Sequence, residues 1–384
     1  MQSDLRRYDI DWWRVIAILA VYLHHIGMPF NGDGFHIMNE ESSKLLDDLM
    51  VFFEQFRLPM LFLISGTGTV YAFSKRNWIQ FIKERSYRLL IPLFFGILFI
   101  VPPQTFFENR EQFTSYFSFY NDLLSHIEVN HLWFIGNLFW MSAACIPIIL
   151  YLRSSRSDIL KKYLSFMATK KYGILLWGVL LILIKILSKK YYPGDSKSIL
   201  NLSSTLYFGY YFIAGIVFAS SGILWQYLLK HRKTNFYLAL ICSMVFYTYY
   251  YLPDEIVSPY LSLTTQWNIW YAVSGITGWS WIITALGYGQ VWFNKRSMLL
   301  SKMNEAIYPF YILHQTVIVL LAYYLVQLDL SIGVKMLLLL ALSFPVIVLI
   351  YRFIVYPFRI TRVLFGMRSK PKVKETALAD VNPT

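Results

Sequence analysis

Long apolar runs recur along the whole 384-residue chain, and they restrict its fold more than any other feature. A bilayer core about 30 Å thick is crossed by a helix of roughly 20 mostly apolar residues. Ten windows of suitable length lie between polar loops, at residues 12–30, 50–73, 89–107, 131–151, 171–188, 203–225, 235–252, 267–290, 306–326 and 333–357. The sequence therefore predicts an all-α, polytopic membrane helix bundle with about ten transmembrane helices.

The composition agrees with a membrane-embedded chain. Hydrophobic residues make up 57% of the chain and charged residues 15%, and the mean hydropathy is +0.46. Because soluble domains carry about 25% charged residues, an ordinary soluble domain is excluded and the lipid bilayer is an expected partner. Residues 1–366 are expected to form one membrane domain, and 367–384 a polar, disordered cytoplasmic tail. Cys145 and Cys242 lie inside apolar windows, so no metal site is predicted.

The net charge of +13 raises the question of a polyanionic partner, and the positions of the basic residues answer it. Of the 35 lysines and arginines, 25 lie in termini and loops that an even number of spans places on one side of the membrane. Lys and Arg are enriched in cytoplasmic loops. Both termini are therefore predicted to be cytoplasmic, and no nucleic-acid partner is expected. The loop "SKKYYPGDSKS" is basic yet falls on the outer side, against this bias.

The first apolar run carries an arginine and two histidines within "DWWRVIAILAVYLHHIG". A helical residue turns about 100°, so the eleven-residue step from Arg14 to His25 places both side chains on one face, about 16 Å apart. His24 points about 80° away, and Asp11 lies within reach of Arg14. Ionisable residues in membrane helices usually face the bundle interior or a wet cavity. His25 is therefore a candidate general base, whereas Arg14 either faces the same cavity or snorkels to the cytoplasmic interface.

Three other spans carry polar candidates. "FRLPMLFLISGTGT" places Arg57 near the outer end of the second span and Ser65 in mid-membrane, where a Ser-Gly pair is more often helix packing than a nucleophile. "NHLWFIGNLFW" begins the fourth span with His131 at the outer side. "NEAIYPFYILHQTV" places His314 in mid-span, and a buried, hydrogen-bonded histidine is its simpler interpretation. A polar stripe beside it consists of Asn304, Tyr308, Tyr311 and Gln315.

Two arginines in "KRNWIQFIKERSYRLLIP" lie on one side of a helix end just before the third span. Guanidinium groups bind phosphate through charge-assisted hydrogen bonds, so Arg85 and Arg88 suit a phosphorylated ligand on the cytoplasmic side. The same two residues also satisfy the cytoplasmic excess of positive charge. Their spacing alone does not separate these interpretations.

Five segments occur in an order that resembles a known family. They are "RVIAILAVYLHH", "FRLPMLFLISG", "RSYR", "NHLWF" and "YPFYILHQ". The chain resembles the membrane acyltransferase 3 family over nearly its whole length, with spacing similar to the glucan biosynthesis branch, whose members are succinyltransferases of periplasmic glucans. The resemblance implies a bacterial inner-membrane enzyme that moves an acyl group, acetyl or succinyl, from cytoplasmic acyl-coenzyme A to a hydroxyl of an extracytoplasmic glycan. It implies no bound cofactor, because acyl-coenzyme A is the donor substrate.

The resemblance also implies roles for individual residues, by their positions in the matching segments. His25 would be the catalytic base and Arg14 its essential companion on the same helix face. Arg85 and Arg88 would hold the coenzyme A phosphates. The other residues that match the family's segments, as substrate-binding positions, are Arg57, Ser65, His131 and His314.

Several alternatives stay open at the level of sequence. A proton-coupled carrier or glycan exporter would also keep Arg14 and His25 facing a central cavity, although the spans show no inverted repeat. For an enzyme, direct attack of the acceptor hydroxyl on the thioester and a covalent acyl-enzyme both fit. The sequence identifies neither the acyl group nor the acceptor.

The helical face of the first span gives a test. His25→Ala is expected to lower acyl transfer by at least about 100-fold, because a general base contributes that much, and to leave membrane insertion intact. His24→Ala, on a different face, is expected to have a mild effect. Both variants would be purified and assayed for acyl transfer, and an equal loss in both would show that the wrong histidine was assigned.

Overall fold

A computed structural model describes residues 6–74, 76–194, 197 and 200–368. Its regular structure is helical, and these ranges contain no β-strand. In chain order the helices are α1 (Tyr8–Asn31), α2 (Lys44–Phe73), α3 (Trp78–Glu108), α4 (Tyr116–Asn121), α5 (Asn130–Ala144), α6 (Ile146–Arg153), α7 (Asp158–Thr169), α8 (Trp177–Tyr191), α9 (Leu202–Ala219), α10 (Gly222–Lys230), α11 (Arg232–Tyr250), α12 (Asp254–Val257), α13 (Leu263–Trp292), α14 (Met298–Leu325), α15 (Ile332–Val355) and α16 (Arg359–Leu364).

Seven helices in the described ranges are long and apolar enough to cross a membrane, namely α1, α2, α3, α9, α13, α14 and α15. The count rises to eight if the bent pair α5 and α6 forms one span. The prediction of an all-α, multi-pass membrane protein is therefore confirmed. The predicted spans 171–188 and 235–252 lie on α8, which has only 15 residues, and on the tyrosine-rich α11.

Helix ends differ from the predicted span ends because polar capping groups extend the helices beyond their apolar runs. α2 begins at Lys44, where the Ser43 side chain accepts a hydrogen bond from the backbone N–H of Leu46. α3 begins at Trp78 behind a capping box formed by Asn77 and Gln80, so its first turns lie in the predicted loop 74–88. Residues 131–151 do not form one straight span, since α5 and α6 meet at an angle of 42°.

The predicted tail, 367–384, lies outside the described residues except for Met367 and Arg368. The basic loop "SKKYYPGDSKS" is described only in part.

The closest helix packing in the bundle joins α2 to α9 through small residues. A Cβ added to Gly66 would lie 2.0 Å from the carbonyl oxygen of Phe212, and one added to Gly215 would lie 1.9 Å from that of Leu63. Thr67 Oγ1 donates across the same contact to the Gly215 carbonyl at 3.1 Å. Small residues let membrane helices approach closely, and Gly66 therefore serves helix packing in the Ser-Gly pair.

Gly215→Ala is expected to destabilise the protein by about 1–3 kcal/mol, because the added methyl must push two helix backbones apart. Gly209→Ala is the matched control: it lies on the same helix, and nothing lies within 4 Å of its added Cβ. Thermal unfolding of both variants in detergent would measure the difference. Equal melting temperatures would contradict the close α2–α9 contact.

Candidate functional site

Apart from Ser65, the predicted site residues form two clusters, at opposite ends of the packed helix pair α1 and α14. His25 and Arg14 mark the two ends of the polar face of α1. Gln315 and Asn304 mark the two ends of the polar stripe of α14. Each pair is eleven residues apart, which corresponds to a rise of about 16 Å. The two clusters are therefore separated by the same distance along both helices.

The first cluster, here called the histidine cluster, is built around three histidine rings. His25 Nδ1 lies 2.8 Å from His314 Nε2, and His314 Nδ1 donates to the Tyr311 carbonyl at 2.5 Å. The ring centroid of His131 lies 5.2 Å from that of His314. Three predicted residues from three separate segments of the chain thus meet at one point.

His131 is fixed to α14 by two hydrogen bonds. Its Nε2 donates to the Ile312 carbonyl at 3.0 Å, and the Tyr311 hydroxyl donates to the His131 carbonyl. Its Nδ1 is buried and has no hydrogen-bond partner among the described residues. This nitrogen is therefore a free acceptor at the edge of the cavity that the ring borders.

A cavity of about 1100 Å³ opens beside His25 and His131. Its walls include the aromatic rings of Phe35, Trp133, Phe134 and Trp140 and the amides of Asn130 and Asn137. Ligand sites commonly combine apolar and aromatic walls with a few placed polar groups. This combination suits a ligand with both flat, weakly polar faces and hydroxyl groups.

One wall of the cavity is charged. Arg57 is only 5% exposed, its Nε has no partner in the described part of the chain, and its Nη2 lies 3.9 Å from Glu54 Oε1. Lys197 approaches the same carboxylate at 3.0 Å. His24 also borders the cavity, and its buried Nδ1 has no hydrogen-bond partner among the described residues. His24 and His25 thus both face the cavity, and they differ in that only His25 bonds to α14.

The loop between α1 and α2 covers part of the cavity. In this loop, burial together with the nearby carboxylates of Glu54 and Asp47 raises the pKa of Asp33. The ring of Phe35 stacks on His25 with 6.0 Å between centroids. Lys335 is buried and donates to Asn39 Oδ1 at 2.7 Å, which ties the loop to α15. The loop is therefore anchored over His25.

Sequence reasoning missed a second polar network in this region. His36 Nδ1 lies 2.5 Å from Glu108 Oε2, and Gln315 Nε2 contacts His36 Nε2 at 2.9 Å and Gln104 Oε1 at 3.1 Å. His36 belongs to a loop, and Glu108 ends α3. Helical periodicity gives no position for a loop residue relative to distant helix ends, so only the polar stripe containing Gln315 pointed to this network.

The second cluster, here called the arginine cluster, contains three of the predicted arginines. Arg14 Nη1 bonds to Asp11 Oδ1 at 3.0 Å, which confirms the predicted local ion pair. Arg85 Nη2 donates to Thr69 Oγ1 at 3.0 Å, and Arg88 Nη1 lies 3.7 Å from Glu84. Arg14, Arg85 and Arg88 lie close enough to one another to interact electrostatically.

Two polar groups of the α14 stripe lack hydrogen-bond partners in the described part of the chain. The amide of Asn304 and the hydroxyl of Tyr308 are buried and have no hydrogen-bond partner in the described ranges. Tyr308 lies within electrostatic range of Arg85 and Arg88. Because unpaired buried polar groups cost about 1–3 kcal/mol each, this arrangement fits a ligand with acceptor and donor groups.

Ser65 belongs to neither cluster. It lies on α2 between Arg57 and Thr69, its carbonyl accepts from Thr69 Oγ1 at 2.8 Å, and it does not border the cavity. In the described part of the chain, no group of three or more His, Cys, Asp or Glu residues is arranged to hold a metal ion.

Comparisons with known proteins agree with the motifs. A family described as an acyltransferase domain, acyltransferase 3, matches residues 7–352. The chain is 26% identical over 157 residues to glucans biosynthesis protein C of Escherichia coli K12, covering 39% of this chain and 40% of that protein.

A second relative of the same name comes from Escherichia coli O17:K52:H18. It is 24% identical over 242 residues, which cover 60% of this chain and 60% of that protein. The chain thus spans less than two thirds of the length of these curated relatives. No solved structure matches the chain. Because the family match covers nearly the whole chain, this protein belongs to the acyltransferase 3 family, and its long apolar helices are those of a multi-pass membrane protein.

Proposed function

We propose that this protein transfers an acetyl or succinyl group from cytoplasmic acyl-coenzyme A to a hydroxyl of an extracytoplasmic glycan. In this proposal the chain crosses a bacterial inner membrane with ten spans and keeps both termini in the cytoplasm. The 25 basic residues of the termini and same-side loops support that orientation. The relatives named for glucan biosynthesis support a glycan as the acceptor.

One observation carries the proposal: the arginine cluster and the histidine cluster lie at opposite ends of the same helix pair. With the N-terminus of α1 in the cytoplasm, Arg14, Arg85 and Arg88 lie at the inner side and His25 towards the outer side. Phosphates of a donor would meet the arginines. A donor arm that follows the polar faces of α1 and α14 would bring the thioester to His25.

The chemistry follows from the position of His25. A glycan hydroxyl is a weak nucleophile until a base takes its proton during attack. His25 Nε2 would accept that proton while the hydroxyl oxygen bonds to the thioester carbon. The carbon–sulfur bond then breaks with its electron pair on sulfur, and the proton passes from His25 to the thiolate. The products are an ester on the glycan and free coenzyme A.

The cavity suits a sugar acceptor. Trp133 and Trp140 offer flat faces for sugar rings, and Asn130 and Asn137 offer amides for hydroxyl groups. His131 Nδ1 would accept a hydrogen bond from one of these hydroxyls, which would satisfy its buried lone pair.

Direct transfer from the thioester needs no covalent acyl-enzyme. Trapping a labelled acyl group on the protein without acceptor would contradict direct transfer.

The proposal is tested with purified protein in lipid vesicles, supplied with acetyl- or succinyl-coenzyme A and a glucan extract. Acylated glucan formed by the wild type, and not by His25→Ala, would support the proposal and identify the donor. No turnover of either donor by folded protein across several acceptors would instead favour a carrier that uses the same polar helix faces.

Arg88→Ala is expected to raise the KM for the donor by about 10- to 100-fold with little change in kcat, because a charge-assisted hydrogen bond contributes about 1.5–3 kcal/mol to binding. Lys83→Ala is the matched control, since Lys83 is an exposed cation on the same helix. Steady-state kinetics with varied donor would measure both. An equal rise in KM for both variants would indicate a general surface-charge effect, not a phosphate contact.

A further inference from the structure

The donor and the acceptor of each hydrogen bond in the histidine cluster follow from one backbone carbonyl. The Tyr311 carbonyl only accepts, so the proton in its hydrogen bond belongs to His314 Nδ1. A neutral imidazole carries one N–H, which leaves His314 Nε2 as an acceptor. His25 Nδ1 lies 2.8 Å from that acceptor and must therefore donate to it.

This direction fixes the tautomer of neutral His25. With its proton on Nδ1, its Nε2 carries the free lone pair. Nε2 makes no hydrogen bond to any described residue, and the ring borders the cavity. His314 is only 1% exposed and does not border the cavity. His25 thus presents a basic nitrogen towards the ligand space, and His314 lies behind it.

Packing holds the two rings in this geometry. Their centroids are 5.0 Å apart with 16° between the ring planes, so the hydrogen bond lies close to both planes. Phe35 covers the other side of His25. Tyr22, one turn before His25 on α1, packs edge-on against Phe310 with 5.1 Å between centroids, and its hydroxyl contacts Ser343 at 2.7 Å. Rotation of either ring is thereby opposed from several helices.

We propose that His314 is a positioning residue that holds His25 as the Nδ1–H tautomer and shares the positive charge that His25 acquires. The inference rests on the proposed function for the reaction itself. When the acceptor O–H bond breaks and its proton moves to His25 Nε2, the Nδ1–H of His25 still donates to His314 Nε2. The charged state therefore forms without rearrangement of the hydrogen bonds. The buried Tyr311 carbonyl, which accepts from His314 Nδ1, stabilises the positive charge from the other side of His314.

The tautomer is measured directly by nitrogen-15 NMR of histidine-labelled protein in lipid nanodiscs. The chain has seven histidines, and comparison with His25→Gln assigns the signal of His25. The wild type is expected to show His25 protonated at Nδ1, and His314→Ala is expected to lose this preference. Because no substrate is needed, the result is independent of whether the proposed transfer reaction is correct. A wild-type His25 protonated at Nε2 would overturn the inference.

Kinetics give the second readout. His314→Ala is expected to lower kcat by about 100-fold or more with little change in donor KM, as for partners that orient a catalytic histidine. His314→Gln is expected to recover much of this loss, because its amide oxygen accepts from His25 Nδ1–H. His126→Gln serves as the control for histidine loss, since His126 pairs locally with Asp122 at 3.3 Å.

If His314→Ala fails to fold, the wild-type spectrum and the kinetics of His314→Gln still decide the matter. A kcat for His314→Gln as low as for His25→Ala would count against the positioning role. A folded His314→Ala protein with wild-type kcat would overturn it.

Discussion

The contact between α1 and α14 sets the relative positions of the histidine cluster and the arginine cluster. His25 and His314 join the two helices in mid-bundle, and Tyr22 packs against Phe310 one turn away. The polar stripe of α14 begins at this point, and Arg14 of the arginine cluster lies eleven residues before His25 on α1. A small shift of one helix along the other would separate the histidines and the polar stripes together. The arrangement of the two clusters therefore depends on the register of this helix pair, while other helices and the loop between α1 and α2 complete the cavity.

The low dielectric of a membrane bundle explains why the polar groups are clustered. A buried ion or amide is stable only when partners satisfy it. Arg57 lies near Glu54, and His36 bonds to Glu108. Some of the groups that lack hydrogen-bond partners in the described part of the chain belong to the clusters: His131 and Arg57 line the cavity, and Tyr308 lies near the arginines. A substrate that bridges both clusters would satisfy them, and we infer that their stability and their function are linked.

The sequence predicted the elements that follow helical periodicity. The common face of Arg14 and His25, the polar stripe of α14 and the ion pair of Arg14 with Asp11 all depend on local geometry. The sequence did not predict the His25–His314 bond or the His36–Glu108 pair, since both depend on how distant segments pack. The break between α5 and α6 and the short α8 were also missed, because hydropathy windows report apolar length and not continuity of a helix.

In the proposed reaction, donor and acceptor reach one site from opposite sides of a membrane. It is tested most directly in sealed vesicles with oriented protein, with acyl-coenzyme A on the side of the α1 N-terminus and glycan on the other. We predict acylated glycan in this arrangement and none when both substrates are on the glycan side. Equal product in both arrangements would contradict the route from the arginine cluster to His25.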